Sequence, residues 1–181
     1  MLEYFNGRIY VADGQYVFPS KPYAYELFDL EDYMPFDGPI SLLGAVEDGL
    51  FIADGKRTYF VKDPKVRVPV LPYGAITGTM TKIDLRLFGD GGMEGTGLMW
   101  ISRKGIVLGT RGGSVRNLSE SVYVFEAGSF GAGLFRQSNG HNQYVALLQG
   151  SVGESDAAYR WHKITSSNLE LPFEATGELT N

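Results

Sequence analysis

The sequence predicts an all-β, propeller-like fold of about four blade-like antiparallel repeats, and three observations lead there. The first is composition: 24 glycines occur alongside 13% aromatic residues. Glycine supplies turns with positive φ, and Tyr and Phe suit half-buried strands, so the pairing implies many short strands joined by tight turns. The second is a glycine-led strand motif recurring at Gly7, Gly49, Gly97 and Gly140, with separations of 42, 48 and 43 residues. The third is that the first three motifs run through a turn signal into another strand-like segment. A strand–turn–strand unit at this period is typical of propeller blades, which bury their faces only by stacking on neighbours.

Taken along the chain, Asn6 to Gly14 (NGRIYVADG) reads as a strand that leaves through Asp13-Gly14, with Gln15 to Phe18 returning. Tyr25 to Tyr33 spaces Leu27, Leu30 and Tyr33 for one helical face, so it is either a turn or two of helix or a connecting loop. Pro39 to Val46 is a strand, followed by the second motif, Asp48 to Gly55, and its partner Arg57 to Lys62. Val66 to Leu71 is a further strand-like run within the repeats. The third motif, Thr96 to Gly105, reverses at Lys104-Gly105 into Ile106 to Gly109. Ser121 to Glu126 and Gly133 to Gln137 precede the fourth motif, Asn139 to Gly150. Leu169 to Phe173 would return as a last strand or reach a neighbour. The repeat units fall near residues 7–48, 49–96, 97–139 and 140–181 of one all-β domain, 1–181. A β-sandwich or irregular barrel with similar hairpins is the alternative architecture.

Composition also excludes functions. A net charge of −5 lacks the basic footprint of a nucleic-acid surface. The absence of cysteine removes disulfides, thiolate chemistry and Cys-ligated metals. No basic region followed by an apolar run marks a signal peptide at the N-terminus, and no apolar stretch approaches the roughly 18 residues of a membrane span. The product is expected to be made in the cytosol and to make no membrane contact.

No catalytic, cofactor-binding or metal-binding residues are expected. The two histidines, His141 and His162, sit in no nucleophile motif, and there is no G-x-S-x-G elbow. Residues 89–95 (GDGGMEG) offer two carboxylates, too few for calcium. The run from Gly109 to Gly113 lacks the Lys-Ser/Thr ending of a phosphate loop and reads as a hairpin end. Glu26, Asp29, Glu31, Asp32 and Asp37 form the densest acidic group, where paired carboxylates for glycoside hydrolysis would be sought, and a solvated face explains them at least as well. Trp100 belongs to a repeat strand and reads as core. Trp161, flanked by Arg160 and His162, suits an interface anchor or a sugar-stacking platform; a Trp covering the sheet end is the alternative.

Several segments resemble a family of tailed-bacteriophage virion structural proteins. They include SKPYAYELF at Ser20 to Phe28, PISLL at Pro39 to Leu43, VEDGLFI at Val46 to Ile52 and RTYF at Arg57 to Phe60. YGAITGT at Tyr73 to Thr79, WISRKGIVLG at Trp100 to Gly109, VRNLSE at Val115 to Glu120 and LFRQSNG at Leu134 to Gly140 extend the likeness over residues 4–150. The family is similar in turn to propeller-bearing hub proteins of the head–tail channel. The resemblance implies a non-enzymatic virion component, a tail or head–tail connector/hub-type module that binds other virion proteins and itself. It also implies longer relatives, which would make this chain a shortened form or the C-terminal part of a split propeller. Tyr25 and Phe28, within the resembling segment, join Arg160, Trp161 and His162 as candidate interface residues. The competing expectations are a carbohydrate-binding, lectin-like or receptor-binding propeller and, behind it, a glycan-cleaving enzyme.

Overall fold

Among the described residues, fifteen strands pair only with near neighbours in sequence, and this local pairing gives four separate antiparallel sheets. The computed structural model describes residues 1–64, 66–88, 94–119 and 130–149. Sheet one runs β1 (Leu2–Phe5), β2 (Arg8–Asp13), β3 (Tyr16–Lys21) and β4 (Ala24–Phe28), with β5 (Met34–Pro35) also paired to β3. Sheet two runs β6 (Leu42–Val46), β7 (Gly49–Ala53), β8 (Thr58–Asp63) and β9 (Val66–Leu71). Sheet three runs β10 (Thr81–Asp84), β11 (Thr96–Ser102), β12 (Gly105–Thr110) and β13 (Ser114–Asn117). Sheet four pairs β14 (Gly131–Ser138) with β15 (His141–Leu148). The sheets do not join into a closed barrel; the fold is all-β and blade-like.

The four glycine-led motifs become β2, β7, β11 and β15, the second strand of each sheet in turn. Each sheet therefore starts one strand before its motif glycine. Asn6-Gly7 and Asn139-Gly140 are equivalent two-residue turns with all four φ values positive, as a type I′ hairpin requires. Gly49 and Gly97 play a different part from the turn role expected of them. They lie in strands without positive φ, and a Cβ at either would meet Phe60 or Leu85. At those two positions glycine is needed for close packing.

Tyr25 to Tyr33 forms no helix. Its first half is β4, held to β3 by the pairs Ser20↔Phe28 and Lys21↔Ala24 across a turn with Tyr23 at φ 58°. The rest is a turn in which the Asp29 carboxylate accepts the Glu31 N–H at 3.1 Å. Pairing with an existing strand outweighs a short helical spacing, because an isolated turn of helix is not stable alone. The expected strand at Ser121 to Glu126 and the tail at Leu169 to Phe173 lie outside the described residues.

Three apolar layers hold the sheets together. Tyr10, Val17 and Met34 of sheet one pack on Leu43, Leu50, Ile52 and Val61 of sheet two. On the other face of sheet two, Leu42, Val46, Phe51 and Phe60 meet Leu98, Trp100 and Val107 of sheet three. Ile83, Leu85, Met99 and Leu108 then pack against Phe135 and Tyr144 of sheet four. Full burial of one such side chain contributes about 1.5–3 kcal/mol, so these layers dominate stability. Every residue of β7, GLFIA, is buried because its two faces are both covered, which explains an uninterrupted apolar run where a half-buried strand would alternate.

The sheet stack is also tied at its turns. Asp48 accepts the Gly112 N–H at 2.9 and 3.0 Å, and Glu47 accepts the Thr96 N–H, joining the β6–β7 turn to sheet three. Glu3 of β1 meets Lys82 of β10 at 2.8 Å. Sheets one and three thus approach each other at their first strands although sheet two lies between their faces, as blades do around an axis.

Candidate interaction surface

Strand alternation puts Glu3, Phe5, Tyr10, Ala12 and Val17 on one face of sheet one and Leu2, Tyr4, Val11, Tyr16 and Phe18 on the other. The first face joins the layer against sheet two. Among the described residues, no sheet covers the second. That face is apolar nonetheless: Leu2 is 66% exposed and Tyr4 53%, with Tyr16 and Tyr33 also open to solvent. Edge-to-face contacts organise its rings. Tyr16 and Tyr33 meet at 5.3 Å and 90°, and Tyr4 and Tyr25 at 5.9 Å and 81°. The hydrogen bond with Tyr4 raises the Tyr25 phenol above its ordinary pKa, with slight desolvation adding to it.

Of the expected interface residues, Tyr25 and Phe28 lie on β4, at the end of the sheet-one order, and both are exposed. Their neighbours Tyr23, Leu27 and Leu30 are exposed as well, which extends the apolar surface beyond the two residues that the sequence singled out. Arg160, Trp161 and His162 lie outside the described residues. Trp100 is fully buried, 5.6 Å from Phe51, and its indole N–H has no hydrogen-bond partner among the described residues.

Sheet four repeats the pattern at the opposite end. Leu134 pairs with Val145 and Ala132 with Leu147, and this face leaves Leu134, Val145 and Leu147 exposed. Arg136, in register with Gln143, donates to its side-chain oxygen at 2.7 Å on the same face. Alternation within β14 and β15 hid this face from sequence reading, since its apolar residues are few and aliphatic.

Two open clefts carry polar groups. One, of 530 Å³, is lined by Asn6, Glu47, Asp48 and Lys62, and the Lys62–Asp48 pair sits at 3.3 Å. The other, of 610 Å³, is lined by Lys82, Asp84, Arg86 and Glu94. There Arg86 donates two-pronged to Asp84, at 2.6 Å for the shortest bond, and that bonding holds the Asp84 carboxyl below its ordinary range. Carboxylates committed to neighbouring cations in this way are poorly placed for proton transfer. Among the described residues no three His, Asp or Glu side chains gather as a metal site, and no helix is long and apolar enough to cross a membrane. Residues 89–93 of the acidic glycine loop lie outside the described residues. Glu26, Asp29, Glu31, Asp32 and Asp37 are all exposed, on β4 and the connections around β5.

Comparison of the chain with protein-family models, curated proteins and solved structures finds no match.

Proposed function

We propose that this chain is a non-enzymatic structural protein of a tailed-bacteriophage virion, a tail or head–tail connector module working through protein–protein contacts. One observation carries the reading: the outer face of sheet one is an organised, exposed aromatic surface, whereas both faces of the sheets inside the stack are covered. Exposed apolar patches of this kind mark association surfaces. The resemblance of residues 4–150 to virion proteins supplies the setting, and assembly in the host cytoplasm follows from it.

The test is to purify particles of the encoding phage, identify their proteins by peptide mass spectrometry and locate this one by immunogold labelling. A fixed copy number at the tail or the head–tail junction is the expected result. A protein made during infection but missing from intact particles would overturn the proposal.

A second reading is a carbohydrate-binding propeller, favoured by the same exposed tyrosines, because sugars stack on aromatic faces. It expects glycan-array binding that is lost on replacing Tyr16 and Tyr33 with Ala; a flat array disposes of it.

A further inference from the structure

We infer, resting on the structural role proposed above, that the open face of sheet one is covered by sheet four of a second copy, stacked head to tail. The stack itself suggests this partner. Sheets two and three are apolar on both faces and are covered on both by neighbouring sheets. Among the described residues, sheets one and four are each covered on one face, and each shows a second apolar face: Leu2, Tyr4 and Tyr16 on one, Leu134, Val145 and Leu147 on the other. A second copy continues the same sheet-on-sheet packing, as stacked repeats do.

Charge selects the head-to-tail arrangement. Glu26, Asp29, Glu31 and Asp32 are exposed on β4 and the turn after it, and only Asp32 has a described cation near, Arg8 at 3.9 Å. Strands β14 and β15 contain no carboxylate and carry Arg136 and His141. Sheet one against sheet one would oppose two acidic fringes; sheet one against sheet four sets acid beside base and aromatic rings beside aliphatic chains. Contacts between two different surfaces propagate, and they close into a ring where the rotation permits.

Light scattering coupled to size-exclusion chromatography at tens of micromolar tests this on the 181-residue chain. Wild-type protein is expected to form species larger than a dimer. Two double variants each block one face: Tyr4→Asp with Tyr16→Asp, and Leu134→Asp with Leu147→Asp. Each alone should be monomeric, and an equimolar mixture should give a one-to-one dimer, because each retains the face the other lacks. Thermal unfolding checks that both variants remain folded. Arg136→Glu, which leaves the apolar residues in place, should weaken assembly about tenfold. A monomeric wild type, whatever else covers the face, would overturn the inference. So would self-association of the variant blocked on sheet four, or an Arg136→Glu protein that assembles as wild type does. The structural role stands or falls separately, on whether the protein is present in intact particles.

Discussion

Lys82 donates to the Glu3 carboxylate at 2.8 Å, linking the first strand of sheet one to the first strand of sheet three. The Lys82 side chain is about half exposed, at 48%, so solvent screens the pair. A double-mutant cycle with Glu3→Gln and Lys82→Met should give a coupling of about 0.5–1 kcal/mol in urea unfolding. The coupling should shrink in 1 M salt, where the Debye length is about 3 Å. A coupling that persists unchanged there would mean the link is shielded from solvent.

Phe51 and Trp100 join sheets two and three with ring centroids 5.6 Å apart, and both are fully buried. Phe51→Ala should cost about 3–5 kcal/mol, since the surrounding layer cannot collapse onto the space. Chemical unfolding would measure it. A loss under 1 kcal/mol would imply that the two sheets separate easily.

Glycine positions divide by what surrounds them. A Cβ at Gly74 would overlap the Asp54 carbonyl oxygen, a backbone atom that cannot step aside. Gly74→Ala should therefore cost about 3 kcal/mol, near the upper end of overpacking changes. Gly55 faces open space and has no positive φ. Gly55→Ala should leave stability unchanged or raise it by up to about 1 kcal/mol. Unfolding midpoints of the two variants, compared side by side, check the contrast.

Alkaline pH should loosen sheet four. Burial pushes the Tyr144 phenol up from 10.0 to about 12, with the Thr79 side chain opposing this in part, and the phenol donates to the Thr79 carbonyl oxygen at 2.5 Å. With the folded-state value above the unfolded one, the unfolded chain loses this proton first. The stabilisation is whole below pH 10 and is lost progressively as pH rises towards about 12. Tyr144→Phe should cost about 0.5–1.5 kcal/mol at neutral pH and lose less stability than wild type between pH 10 and pH 12. Parallel alkaline curves for the two proteins would contradict the assignment.

The period of the glycine-led motifs and their turn chemistry determined the strand content, the hairpin order and the blade-like division, because these depend on residues close in sequence. Asn6-Gly7 and Asn139-Gly140 are legible as turns for that reason, and so is Trp100 as core. Other features needed the tertiary structure. The motif does not reveal that it is the second strand of each sheet, nor that Gly49 and Gly97 serve packing, since Phe60 and Leu85 reach them only once the strands have paired. Tyr25 and Phe28 carried a surface signal in the sequence, but the face formed by Leu2, Tyr4 and Tyr16 did not. In composition that face matches the buried faces of sheets two and three. Only the stacking order, which leaves the end sheets with one neighbour each, decides which apolar face meets water.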